Sequence, residues 1–211
     1  MKTTVTPEDY LKKKDKKLKK LIEIFGHTNA INEKRELFDS IAKAVISQQL
    51  SNSASNSITK KIISIHGKRP FKASIFASLP IDDLRGCGIS NSKIKTLKGI
   101  SAACISKELT LRSFQNLSDE QAQKKLTAYW GIGPWTADIF MMFCLKRYDV
   151  IALGDVGLQN AHSILYPEEK NLESTSQLWR PYRAIAASYL WKFLDNPEHH
   201  PEILKAFTKL N

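Results

Sequence analysis

Cysteine, acidic side chains and long apolar runs are all scarce in this 211-residue chain. Its three cysteines, Cys87, Cys104 and Cys144, stand far apart and form no C-x-x-C pair. That excludes the familiar zinc and iron–sulfur spacings and leaves them as reduced, buried small hydrophobes. No stretch approaches the roughly 20 apolar residues that cross a bilayer, and the N-terminus MKTTVTPEDYLKKK lacks the apolar centre of a secretory leader. A soluble, intracellular protein without a membrane partner is expected. There is no Walker loop, zinc-protease helix or nucleophile elbow, no internal repeat and no long linker. Strand-like alternation is almost missing too: runs such as Val150-Ile151-Ala152-Leu153 are too short to build a sheet.

What is present is positive charge. Lysine and arginine number 32 against 21 aspartates and glutamates, a formal net charge of +11, with a pI near 9.5. Clustered cations gain by displacing counterions from phosphates, so nucleic acid leads the partner classes, although basic surfaces also serve solubility or acidic membranes. The length allows one core or two small lobes, not two independent average domains.

Hydrophobic spacing is helical nearly throughout, which predicts an all-α fold. Thr6, Pro7, Glu8 and Asp9 mark a helix start, and Leu11, Leu18, Leu21, Ile22 and Phe25 continue one apolar stripe. Seven lysines between Lys12 and Lys20 cover the rest of that helix, as a solvated face or a DNA-contact arm. Further helices are predicted around 35–47, 52–65, 91–104, 119–130, 135–145, 156–164, 181–194 and 201–209, with longer loops at 66–90 and 165–178.

One hairpin, 119–145, stands out. Ser118 and Gln121 have capping-box spacing, the helix they open runs to Trp130, and Gly131-Ile132-Gly133-Pro134 then turns into a second helix. Two glycines remove Cβ atoms from the turn, and the following helix N-terminus presents backbone N–H groups that a phosphate can approach. By itself this is also an ordinary helical hairpin with a glycine stop and a proline restart.

The surrounding residues decide more. Leu126 to Ala137, LTAYWGIGPWTA, resembles the helix-hairpin-helix of the base-excision DNA glycosylase superfamily with a Gly/Pro-rich loop and an essential aspartate. Asp155, in Leu153-Gly-Asp-Val-Gly157, lies 20 residues after Trp135 and matches that aspartate. Ile46-Ser-Gln-Gln-Leu-Ser51 resembles the segment bearing the DNA wedge. Pro181 to Trp191 resembles the late helix of the 3-methyladenine glycosylase II branch of bacteria and yeasts. The likeness runs from Asp39 to Trp191.

That resemblance implies a two-lobed helical fold, 1–211 as a single glycosylase domain with a central cleft and no N-terminal β domain. It implies excision of alkylated purines from damaged double-stranded DNA by a monomer, in the nucleoid or cytoplasm of a bacterium or the nucleus of a eukaryote. Asp155 is the implied catalytic carboxylate; as an Asp before Val156-Gly-Leu it also suits a helix N-cap, and the two roles are compatible. Gln49, with Leu50 and Ser51 beside it, is the implied wedge. Trp135 and Trp191 are implied base-stacking residues, Ile139 replaces an aromatic of the bacterial relatives, and each Trp can equally be core. Gly131, Ile132, Gly133, Trp135 and Thr136 would hold the DNA backbone. Main-chain carbonyls of Thr127, Tyr129 and Ile132 match a monovalent-cation site, and no other cofactor is expected.

Family members that also nick the strand carry a lysine where this chain has Trp135, so a monofunctional enzyme without lyase action is implied. Members with an iron–sulfur cluster carry four C-terminal cysteines, and none follows Cys144 here. Gly86-Cys-Gly88-Ile-Ser90, followed by Lys93, Lys95 and Lys98, reads either as a second phosphate clamp or as a capped helix with solvated lysines. The rival functions are a glycosylase for deaminated or oxidised bases and a non-catalytic helix-hairpin-helix DNA-binding protein.

Overall fold

The computed structural model describes residues 6–29, 31 and 33–207. Among the described residues there are thirteen α-helices and no strand: α1 Pro7–Lys14, α2 Lys16–Phe25, α3 Leu37–Ser47, α4 Asn52–His66, α5 Ala73–Ser78, α6 Ile81–Gly86, α7 Asn91–Ile105, α8 Asp119–Thr127, α9 Pro134–Phe143, α10 Val156–Leu165, α11 Leu172–Ser176, α12 Arg183–Asp195 and α13 His200–Phe207. The chain divides into two compact units, one contiguous over residues 34–145 and one assembled from residues 1–33 and 146–211. None of the described helices is long and apolar enough to cross a membrane.

In the contiguous unit α3 is central. Leu37, Phe38, Ile41, Ala42, Ala44, Val45 and Ile46 bury most of its circumference, and it packs on α4, α7 and α9. Phe76 of α5, Leu97 and Ile100 of α7, and Phe140 and Met141 of α9 fill the space around it. Each such side chain contributes about 1.5–3 kcal/mol by leaving water. Cys87 and Cys144 are buried, Cys104 is half-buried, and burial pushes the Cys104 thiol up to about 11, which keeps it unreactive at neutral pH.

Several boundaries differ from those the sequence suggests. The 66–90 loop contains α5 and α6, each only six residues long and anchored by one buried residue, Phe76 and Leu84; so short a helix leaves no periodic pattern. Asp39 organises the entry to α5, accepting from Arg69 Nε at 3.0 Å and from the Phe71 amide at 2.8 Å. The 165–178 loop likewise holds α11 and the turn Gln177–Trp179. Helix α13 begins at His200, and residues 208 and 209 of the predicted 201–209 helix lie outside the described residues.

The largest difference lies at the N-terminus, where the single predicted helix is two. Asp15 is 7% exposed, and its carboxylate breaks the run by capping α2. Oδ1 accepts the Lys17 and Leu18 amides at 2.8 and 3.0 Å, and Oδ2 accepts the Tyr166 hydroxyl and the Trp179 indole N–H, both at 2.8 Å. Four donors on one carboxylate satisfy the buried charge. They also fasten the N-terminal helices to a segment 150 positions away, inside the same unit. Lys17 is therefore not part of a solvated face: it donates to the Leu165 carbonyl at 2.7 Å and pairs with Glu168.

Candidate active site

Asp155 lies at the end of a non-helical segment that is held at both ends. At its start Asp149 accepts from Arg183 Nε at 2.9 Å and from Arg180 Nε at 3.1 Å, and the Ala184 amide donates to the Tyr148 carbonyl at 2.9 Å. Val150, Ile151 and Ala152 are buried. At its end Gln159 Nε2 donates to the Leu153 carbonyl at 2.6 Å, and the Asp155 amide to the Ala152 carbonyl at 2.9 Å.

The Asp155 side chain is half-buried and caps α10. Its Oδ1 accepts the Leu158 amide at 2.8 Å and the Trp191 indole N–H at 3.0 Å. Both donors fix the orientation of the carboxylate at the start of α10. Gly157 allows this closeness, since a Cβ there would stand 3.0 Å from Asp155 Oδ1 and 3.5 Å from Trp191 Nε1. Val156, beside the carboxylate, is 72% exposed.

The second group of site residues belongs to the contiguous unit. Ser118 and Gln121 form the capping box of α8. The helix ends at Thr127, not near 130, because Tyr129 bonds back three residues to Leu126 and Gly131 adopts φ +80°. A Cβ on Gly131 would lie 1.9 Å from Thr96 Oγ1 of α7, so this glycine is required twice over, by backbone angle and by contact. Gly133 has φ −91° and nothing near its absent Cβ. Ile132 between them is buried, and its amide donates to the Tyr129 carbonyl at 3.1 Å. Pro134 opens α9, and no side chain caps it. Trp135 and Ile139 are half-buried and Thr136 is buried.

In the predicted wedge segment, Gln48 is the C-cap of α3 and Gln49 is exposed with φ +55°. A left-handed non-glycine residue costs roughly 1–2 kcal/mol, so its neighbours must hold it. Leu50 is 38% exposed. Ser51 is taken up as the N-cap of α4, accepting the Ala54 amide at 3.3 Å.

Further residues complete this region in ways that the sequence did not suggest. Gln48 Nε2 donates to the Gly131 carbonyl at 3.1 Å and to Thr136 Oγ1 at 2.8 Å. Lys93 Nζ donates to the Ile46 and Gln48 carbonyls, both at 2.8 Å, and burial lowers its pKa. Lys98 donates to the Ala77 carbonyl at 2.6 Å. Lys93 and Lys98 are thus neither phosphate clamps nor solvated lysines; they cap internal carbonyls. Lys95 is exposed and stands 4.2 Å from the ring centroid of Trp130, itself 53% exposed beside the hairpin turn. Asp138 of α9 accepts from Gln123 Nε2 at 2.7 Å, and burial pushes its carboxyl up to about 6.

Comparison with known proteins gives these residues a context. The family model described as "HhH-GPD superfamily base excision DNA repair protein" matches residues 42–183. The chain is 34% identical over 195 residues to DNA-3-methyladenine glycosylase 1 of Schizosaccharomyces pombe, covering 88% of this chain and 85% of that protein. The solved structure of the S. pombe 3-methyladenine DNA glycosylase in complex with abasic DNA superposes with a TM-score of 0.78 at 33% identity, over 88% of this chain and 95% of that one. A DNA-3-methyladenine glycosidase from Bacillus halodurans superposes with a TM-score of 0.74 at 30% identity, over 95% and 94% of the two chains.

Proposed function

Because this chain belongs to the HhH-GPD superfamily of base excision DNA repair proteins, we propose that it is a DNA glycosylase: it turns an alkylated purine out of duplex DNA, hydrolyses the N-glycosidic bond and leaves an abasic site. The observation that carries this reading is Asp155, a half-buried carboxylate at a helix N-terminus, oriented by the Leu158 amide and the Trp191 indole.

The chemistry suits that residue. A base of the 3-methyladenine or 7-methylguanine type is cationic, so it leaves with the bonding electron pair as a neutral molecule and needs little acid help. Positive charge then develops on the sugar as an oxocarbenium ion. A fixed carboxylate stabilises that charge, orients the water and takes the proton that the water gives up as its oxygen adds to C1′. Extruding the base costs a few kcal/mol, and the exposed Gln49 turn, with Leu50 and Ser51, supplies the group that fills the gap. By the family resemblance Trp135 and Ile139 are base-pocket residues of the one unit, and in the other Trp191 offers a ring for stacking while its N–H holds the carboxylate.

Backbone contacts come from the turn Gly131-Ile132-Gly133 and the first turn of α9 through Trp135 and Thr136, at a helix N-terminus that no side chain caps. Trp130 and Lys95 extend that surface. The cation that the resemblance implies would sit on the carbonyls of Thr127, Tyr129 and Ile132. The Tyr129 carbonyl accepts the Ile132 amide and keeps a second lone pair for a monovalent cation, which would add positive charge behind the phosphate grip. Trp135 offers no amine for a Schiff base, so the enzyme leaves the strand intact. It acts as a monomer in the compartment that holds the DNA.

Base release from methylated duplex DNA, followed by chromatography, tests this. Wild type should free methylated purines, and Asp155→Asn should lower the rate by about 10²–10³-fold. Equal, near-zero release from both would leave only a duplex-binding protein.

A further inference from the structure

Gln48 and Lys93 enclose the turn that carries Gln49, and neither is itself exposed. An amide nitrogen has two hydrogens, and Gln48 places both on the hairpin, one on the Gly131 carbonyl ahead of Gly133 and one on Thr136 Oγ1 behind it. The main chain of Gln48 is held from the other side, where Lys93 gathers its carbonyl and that of Ile46. Lys93 lies on α7, the helix whose Thr96 meets Gly131. The end of α3, the start of α7 and the hairpin turn therefore close into one ring of contacts. Gln49, in its left-handed conformation, is the exposed residue at the point where that ring is tied.

We propose that Gln48 and Lys93 are positioning residues that lock the Gln49 turn to the hairpin, so that gripping the backbone phosphate also sets the depth at which Gln49 enters the base stack. The proposal rests on the glycosylase reading above. The hairpin keeps its own shape without this lock, through Gly131, Pro134 and the Ile132–Tyr129 hydrogen bond. Loss of Gln48 or Lys93 frees the Gln49 turn while leaving the phosphate grip in place. Lys93 suits this task because a charged donor on helix-end carbonyls is stronger than a neutral one.

The test uses the full chain and a duplex that contains a tetrahydrofuran abasic analogue with 2-aminopurine as the neighbouring base, whose fluorescence reports insertion without any catalysis. Gln48→Ala and Lys93→Met should bind undamaged duplex as wild type does, lose most of the 2-aminopurine signal and release methylated bases on the order of 10²-fold more slowly. Lys93→Arg, which keeps the charged donor, should restore the signal. Wild-type fluorescence in both loss variants would overturn the proposal. So would a loss of undamaged-duplex binding in proportion to the lost signal, the mark of general unfolding, and Lys93→Arg behaving like Lys93→Met would do the same. If wild type inserts into the abasic duplex but releases no base, the glycosylase reading fails and the lock stands.

Discussion

The indole nitrogen of Trp191 stands 3.0 Å from Oδ1 of Asp155, so the ring proposed to stack on a base is also a donor that fixes the carboxylate. Trp191→Phe keeps a ring and removes the donor. Hydrogen bonds to charged groups contribute about 1.5–3 kcal/mol. The substitution should therefore slow single-turnover base release at least about tenfold while duplex affinity, read by anisotropy, stays unchanged. A release rate equal to wild type would assign Trp191 to stacking alone.

The two hairpin glycines should respond differently to alanine. Gly131→Ala meets both φ +80° and Thr96 Oγ1 at 1.9 Å, and strain of roughly 1–3 kcal/mol follows, lowering Tm by several degrees. Gly133 has an ordinary φ and no neighbour at its Cβ position, so Gly133→Ala should melt like wild type yet bind duplex more weakly, because the new methyl stands between backbone amides and phosphate. Calorimetry and anisotropy on the two variants separate the effects.

Lys95 over Trp130 gives a salt-dependent prediction. If Lys95 neutralises one phosphate, Lys95→Gln should reduce the slope of log K against log salt by about 0.9. Trp130→Ala should weaken binding with that slope unchanged, since an aromatic face releases no counterion. An unaltered slope in Lys95→Gln would remove this lysine from the interface.

Asp138 predicts a pH effect on stability. Its carboxyl is raised from 3.8 to about 6, chiefly by burial, so the folded protein holds this proton more tightly than the unfolded chain does. The stabilisation is complete below the unfolded value and is lost as pH rises through about 6. Asp138→Asn, which can still accept from Gln123, should flatten the fall in denaturation midpoint between those pH values and leave the protein more stable than wild type at neutral pH. Parallel pH curves for the two proteins would contradict this.

What the sequence revealed about the site was what is written locally. The hairpin shows because a capping box, a Gly-x-Gly-Pro turn and a second helix follow one another within 30 residues, and Asp155 shows because it stands at a family spacing from Trp135. The contacts of Gln48 and Lys93 do not show. Their partners lie 88 and 45 positions away, and a lysine among lysines looks solvated until a fold brings carbonyls to it. Asp15 was hidden in the same way: within Lys14-Asp-Lys16 it reads as surface charge, yet its partners Tyr166 and Trp179 make it a buried helix break. Helices α5 and α6 were lost for another reason, since six residues hold less than two turns of pattern.

The carboxylate of Asp15 also bears on how the polypeptide is made. Residues 34–145 are contiguous, and a ribosome delivers all they need before it reaches position 146. Helices α1 and α2 precede that unit in the chain but find Tyr166, Trp179 and α12 only after it has been made. Until then the apolar side of α2, with Leu18 and Leu21, lacks the α12 surface that covers it in the folded chain.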